Sequence, residues 1–387
     1  MESRLQVTYP RGVQVPTLSA APRALGRAVL GSVSLALGLA VLEVYLRARH
    51  PGTIDALDSS AFTRASSLPG QASELVPGAR NDGFAGGPVR INSLGFRGDE
   101  FPERPEPGVT RVLAIGDSVT FGYGVAEDAT FHRVARARLE AAGHPPVEFL
   151  NAGLPSAGLP YVLHGTRRWC DRLDADVVLA SVVLNDLWAY EHDAIEVEPR
   201  ARPRGKPPSL ASRLLHRSYA YTALFRSAKS LAYATGLLDL DDNPGYHFPV
   251  LGEPGPDVEL AWEGSFRVLD ALRDATAACD ARLVLAVFPL EVQLSEEVLS
   301  LYREGIGIDV AATATDLEPQ RRLAAYAAAH ELPFLDFTPA FQGPDPATLF
   351  LRDLYVTLDP VHPSVLGHRL AGERLAAQFD ELVPPGG

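Results

Sequence analysis

From Arg111 onward, short and densely apolar runs alternate with longer stretches of helical period. This alternation constrains the fold more than anything else in the chain. The runs are RVLAIG (111–116), VEFLNAG (147–153), DVVLASVVLND (176–186), RLVLAVFP (282–289) and LPFLDF (332–337). Between and after them come helical patterns over 129–143, 158–173, 259–280, 319–331 and 364–379, with Gly143 suited to ending the first. A strand that is apolar on both faces must be covered on both faces, and parallel neighbours need a crossover between them. The pattern therefore predicts an α/β fold: a mainly parallel five-stranded sheet between two helical layers. In such folds the site lies beyond the carboxyl ends of the strands, near a topological switch. Three polar groups fall on that edge: Gly116-Asp117-Ser118 after the first strand, Gly153 after the second, and Asn185-Asp186 after the third.

The first of these sits in AIGDSVTFGYG (114–124). A phosphate loop would need a GxxxxGK[ST] or GxGxxG pattern, and neither is present. Ser118 as a helix cap is the plain structural reading. A nucleophile is the third, and it needs partners: a base within reach, a group to orient the base, and donors for the oxyanion. Candidates exist for each role. LDPVHPSVLGH (358–368) carries Asp359 and His362 three residues apart, so one turn can set the carboxylate against the imidazole. Asn185 offers a side-chain amide and Gly153 a backbone N–H without a Cβ in the way.

As an ordered set, these residues resemble the SGNH (GDSL-type) hydrolases. The four blocks of that family are matched by Ser118 in GDS, Gly153 in NAGLPSAG, Asn185 in VLND and His362 in DPVHP, and the resemblance runs from Asn92 to Phe379. It implies a flavodoxin-like three-layer fold and ester hydrolysis without metal or cofactor. Ser118 would be the nucleophile, His362 the base and Asp359 its partner, with Ser118, Gly153 and Asn185 forming the oxyanion hole. The block around Asn185 departs from the family, because Val183 stands where a glycine is usual. Some members of the family transfer acyl groups on envelope polysaccharides, so an O-acyltransferase is the alternative within the class. Outside it stands a catalytically idle, membrane-tethered binding or scaffold protein.

The remainder of the chain reads differently. Residues 24–46 are apolar, with an uncharged core from Ala28 to Leu42, and suit a membrane-spanning anchor helix. Arg4, Arg11, Arg23 and Arg27 precede it against one acid, Glu2, which favours a cytoplasmic tail over 1–23 and an exported body, periplasmic or extracellular. A cleaved signal ending near Gly38-Leu39-Ala40 is the rival reading. Residues 47–110 are rich in Pro, Gly, Ser and Asp and read as linker and loop, with 90–100 able to pack on the body. The catalytic unit is expected over 111–380, interrupted by an insert at 190–258.

Charge separates that insert from the rest. The whole chain carries −13, which disfavours a nucleic-acid partner. From Arg200 to Lys229, by contrast, there are eight basic residues and no acid, and 209–232 has helical apolar spacing. A basic amphipathic helix can lie on an anionic membrane or cover a substrate pocket, and a helix packed on the body with solvated charges is the plainer alternative. Cys170 and Cys279 form no metal-binding pattern and read as two buried thiols, with a disulfide the alternative in an exported domain.

Overall fold

The computed structural model describes residues 20–49, 62–66, 73–81, 87–192, 195, 215, 217–235, 237, 248–306, 308–351 and 359–384. Five strands form one all-parallel sheet: β1 (Thr110–Gly116), β2 (Val147–Gly153), β3 (Val177–Val182), β4 (Arg282–Val287) and β5 (Phe334–Asp336). Their order is β2-β1-β3-β4-β5, the flavodoxin-like arrangement of a doubly wound sheet. Each falls on an apolar run, β1 starting one residue before its run. β3 stops at Val182, however, and Leu184–Asp186 turn as a 3-10 helix instead of extending the strand.

The helices are α1 (Ala20–Arg49), α2 (Ser118–Phe121), α3 (Phe131–Ala141), α4 (Leu159–Trp169), α5 (Tyr219–Ala234), α6 (Pro256–Ala277), α7 (Glu318–Ala329) and α8 (Val365–Ala377), beside several shorter turns. Chain direction decides their layer. The step from β1 to β2 runs opposite to those from β2 to β3, β3 to β4 and β4 to β5. Right-handed crossovers then place α3 on one face and α4, α6 and α7 on the other. Packing agrees: α8 returns to lie against α3, and α4 lies against α6. The stacked rings of Phe266 and Tyr326, 5.0 Å apart, join α6 to α7.

Cys170 and Cys279 are bonded to each other, with Cα atoms 6.0 Å apart. The reading of two separate thiols is thereby corrected. Cys170 caps the end of α4 and Cys279 follows the end of α6. Because these two helices pack side by side, their ends meet even though 109 residues separate the cysteines. Spacing along the chain could not reveal that proximity.

The stretch read as linker is also more ordered than its composition implied. Thr63–Ala65 pairs antiparallel with Ser73–Leu75, and Arg80–Asn81 with Val89–Arg90. Residues 90–100 dock on the body through an antiparallel bridge between Arg97 and Asn151 on β2, while Phe96 packs edge-on to Trp169 of α4.

α1 contains one segment, Gly26–Arg49, long and apolar enough to cross a membrane, with mean hydropathy 2.0 and none of it buried. α5 falls inside the basic insert. Its range begins later than the expected 209–232, and residues 201–214 lie outside the described residues.

Candidate active site

β1 and β3 are neighbours whose following loops flank the point where the strand order reverses. Ser118 lies just beyond β1, as the first residue of α2, and Asn185 lies just beyond β3. Asp117, not Ser118, caps α2: its Oδ1 accepts the N–H of Val119 at 2.8 Å. Fixing the turn in this way leaves the Ser118 hydroxyl free of a capping role. Gly122 ends α2 with φ 86°, a left-handed conformation that strains any residue with a Cβ.

His362 comes from the segment between Asp359 and α8. Three contacts hold that segment. The Leu351 N–H donates to the His362 carbonyl at 2.9 Å, and the Glu291 N–H to the Pro360 carbonyl at 2.8 Å. Ser364 caps α8 and donates its hydroxyl to the Thr348 carbonyl at 2.6 Å. Asp359 closes the turn by accepting the N–H groups of Val361 and His362, each at 3.0 Å, on Oδ1. Its Oδ2 is left for His362 Nδ1 at 2.7 Å. The far ring nitrogen, Nε2, lies 2.8 Å from Ser118 Oγ. Ser118, His362 and Asp359 thus form one hydrogen-bonded chain across 244 residues of sequence. The Tyr123 ring packs on the imidazole, 4.5 Å between centroids.

The electrostatics follow from burial and from four charged or polar neighbours. Burial disfavours a charge on His362, but the Asp359 carboxylate and its hydrogen bond, with a contribution from Asp117, outweigh it and raise the imidazole pKa above its usual value. Burial pushes Asp359 upward, yet the charge and hydrogen bonds from His362 and the Val361 N–H bring it below its usual range. Asp117 is also buried, which raises its pKa. Asp186 is held well above the usual carboxylate range, first by burial and then by the charge of Asp117. Two nearby buried carboxyls do not both ionise readily. Asp117 Oδ1 accepts the Val119 N–H, whereas Asp186 Oδ1 is buried with no hydrogen-bond partner among the described residues. Of the two, Asp186 is the one pushed furthest toward the neutral form.

Ser118 Oγ also lies 3.2 Å from Asp117 Oδ2. A hydroxyl has one proton, so its two acceptors compete. With neutral His362 the shorter contact, to Nε2, takes it. With protonated His362, Nε2 becomes a donor and the hydroxyl turns to Asp117.

Asn185 is half-buried, and its Oδ1 makes no protein hydrogen bond among the described residues. Its backbone is fixed nearby: the Trp188 indole N–H donates to the Asn185 carbonyl at 2.6 Å, and the Val183 N–H to Asp186 Oδ2 at 3.0 Å. Hydrogen bonds thus fix the backbone on either side, while the carboxamide oxygen has no partner among the described residues. Val183, in place of the usual glycine, has φ −112° and ψ 150°, an extended conformation natural to a β-branched residue. The departure costs nothing in backbone strain.

Gly153 departs from expectation. Its N–H donates to Asn151 Oδ1 at 3.0 Å and is not held for a ligand. A Cβ there would stand 2.0 Å from the Phe121 backbone nitrogen. Glycine is needed at this position so that β2 can approach α2, which places Ser118.

Arg97 was not among the sequence candidates. It is buried, and its guanidinium donates to the carbonyls of Phe121 and Gly122 at 2.7 Å and of Val125 at 2.8 Å. The only sequence signal was its place in the structured-looking run 90–100.

No family model matches the sequence, and no curated protein does either. Several solved structures resemble it. One is a GDSL-like lipase from Bacteroides thetaiotaomicron, at 13% identity and TM-score 0.34, covering 71% of this chain and 89% of that one. Another is a family 3 carbohydrate esterase of Clostridium thermocellum, at 13% and 0.37, covering 72% and 100%. A third is an acetyl-xylooligosaccharide esterase from Geobacillus, at 15% and 0.39, covering 71% and 94%. The chain is thus similar, at low identity, to solved GDSL-type lipolytic proteins and esterases.

Proposed function

We propose that this chain is a membrane-anchored serine hydrolase that cleaves a carboxylic ester through Ser118, His362 and Asp359. The observation that carries this reading is the hydrogen-bonded chain from Ser118 Oγ through both nitrogens of His362 to Asp359, at 2.8 and 2.7 Å. His362 Nε2 takes the Ser118 proton as Oγ adds to the ester carbonyl, and Asp359 holds the tautomer with its proton on Nδ1. The oxyanion is met by the Ser118 N–H and the Asn185 carboxamide. The imidazolium then gives its proton to the departing alkoxide, leaving an acyl group on Ser118. Water, deprotonated by the same imidazole, releases the free acid. Gly153 serves the site by letting α2 sit close, not as an oxyanion donor.

The placement proposed with this chemistry is an exported body behind α1 as the anchor. The arginine bias before the apolar segment supports it. The Cys170–Cys279 disulfide supports it as well, since such bonds persist in oxidising compartments.

Labelling with a fluorophosphonate probe tests the chemistry. The wild-type chain is expected to label and Ser118→Ala is not; equal labelling of the two would overturn the assignment. Release of free acid from a chromogenic acetyl ester, without any added alcohol acceptor, distinguishes hydrolysis from obligatory acyl transfer.

A further inference from the structure

The basic insert has no part in the chemistry above, yet its helix is attached to the apolar segment at a defined point. α5 starts against the last turns of α1. Glu43 Oε2 accepts the Ser218 hydroxyl and the Ala220 N–H, each at 2.8 Å, satisfying donors at the start of α5. Arg47 donates to the Arg217 carbonyl at 2.9 Å and lies over the Tyr219 ring at 4.9 Å. Tyr219 and Ala220 are buried by this junction.

Glu43 is the first charge after the uncharged run Ala28–Leu42. If that run occupies the hydrocarbon core, then Glu43 and Arg47 stand at the level of the headgroups, and the first turn of α5 is held there with them. Beyond that turn, none of the described apolar side chains of α5 is buried. Leu224, Phe225 and Leu231 are 50%, 53% and 64% exposed. Tyr221, stacked on Phe225 at 5.8 Å, lies three and four residues before Leu224 and Phe225, and Leu231 follows Leu224 two turns later, so the four share one side of the helix. Leu215 and Leu237, at its two ends, are exposed too. The sequence around this stripe, from Arg200 to Lys229, has eight bases and no acid in a chain of net charge −13. An exposed apolar stripe in a basic segment that begins at the end of a span suits an anionic lipid surface: acyl chains take the stripe and phosphates the bases.

We propose that α5 is an interfacial helix, its Tyr221, Leu224, Phe225 and Leu231 side embedded in the anionic bilayer that α1 crosses, and seated there by Glu43 and Arg47. The proposal rests on the reading of α1 as a membrane span. Its consequence is a second attachment for the body. The insert leaves the sheet after β3, on the edge that carries Ser118 and Asn185.

The test uses the full chain reconstituted into phosphatidylcholine vesicles with and without phosphatidylglycerol, and a Phe225→Trp variant as reporter. Acyl-chain-brominated lipid is expected to quench the added indole emission, more strongly with phosphatidylglycerol present. Adding Leu224→Asp and Leu231→Asp to the reporter is expected to abolish that quenching while the protein still floats with the vesicles. Flotation without any quenching of the introduced indole would overturn the interfacial helix and leave the anchor standing. Failure to float would overturn the anchor, and the proposal with it. Retained hydrolysis of a soluble acetyl ester shows that the charged variant is folded.

Discussion

Arg97 Nη1 lies 2.7 Å from the carbonyl oxygen of Phe121, the last residue of the helix that begins with Ser118. A four-residue helix has almost no internal ladder, so its carbonyls need partners from outside. One guanidinium supplies them for Phe121, Gly122 and Val125 and is also 4.7 Å from the Phe121 ring centroid. Burial lowers the pKa of Arg97 to about 10, still leaving it charged at neutral pH.

Arg97→Met is therefore expected to destabilise the fold and to lower kcat by displacing Ser118. The Val125 carbonyl would lose its donor, while the Phe121 carbonyl keeps the Asn151 amide at 3.1 Å and the Gly122 carbonyl the Val125 N–H at 3.3 Å. One buried carbonyl left unsatisfied costs about 1–3 kcal/mol, and a loss in that range, read from denaturant unfolding, is the expectation. Arg97→Lys should recover the charge but not the fork of donors, and fall in between. A Met variant with wild-type stability and kcat would show that α2 stands without this clamp.

The raised pKa of His362 makes a prediction with a definite sign. The imidazole works as a base only when neutral, so hydrolysis is lost as pH falls through its pKa. Because Asp359 and Asp117 outweigh burial, that limb of kcat/KM should lie above 6.5, the ordinary value. Removing the Asp117 charge with Asp117→Asn withdraws one raising influence and should move the limb to lower pH. Asp186, held well above the usual carboxylate range by burial and by Asp117, is not among the groups that raise His362, so with Asp186→Asn the limb should stay in place. An Asp186→Asn limb that moves as far as that of Asp117→Asn would show that Asp186 acts on the imidazole as strongly as Asp117 does.

Gly153→Ala separates two roles that the sequence confounded. An alanine keeps the backbone N–H, so an oxyanion-donor role predicts little change. The close approach predicts a clash, since the new Cβ would stand 2.0 Å from Phe121 N and 2.5 Å from its Cα. Neither contact is a flexible side-chain end. Overpacking of this kind costs about 1–3 kcal/mol, and the strain falls on α2. We expect a lower Tm together with a kcat loss of tenfold or more, on the order of 1.4 kcal/mol in the barrier. Wild-type turnover in this variant would remove the close-packing account.

The sheet, and the placing of Ser118 at its carboxyl edge, were legible because both depend on local pattern. A strand such as Val177–Val182, buried along its whole length, is apolar at every position but Ser181, and it reads that way. Ser118 and His362 could be proposed as partners because a serine nucleophile needs a base and the ordered blocks GDS and DPVHP resemble those of a known family. What escaped was contact between distant segments whose residue types carry no signature. Arg97 sat in a stretch read as linker, and an arginine that binds carbonyls looks in sequence like one that binds water. The Asn151 side chain that occupies the Gly153 N–H lies only two residues away, but nothing in NAG announces that hydrogen bond. The capping of α5 by Glu43 spans 177 residues and two segments of opposite character.

The Cys170–Cys279 bond gives the last prediction. It joins the ends of α4 and α6, which carry one face of the sheet, and it closes a separation of 109 residues that includes β3 and the whole insert. A crosslink over so long a segment removes much freedom from the unfolded chain; the entropic estimate for a loop of that size is about 4.7 kcal/mol, and measured values are typically about 2–4 kcal/mol. The site itself should be spared, because Ser118 and His362 are held by α2, the Asp359 turn and α8, none of which the bond touches. A Cys170→Ala/Cys279→Ala chain is thus expected to unfold at lower denaturant by that margin while its kcat at low temperature stays within about twofold of wild type. Dithiothreitol should do the same to the wild-type chain and nothing to the double variant. A matching loss of kcat under folded conditions would mean that the α4–α6 layer positions the catalytic edge after all.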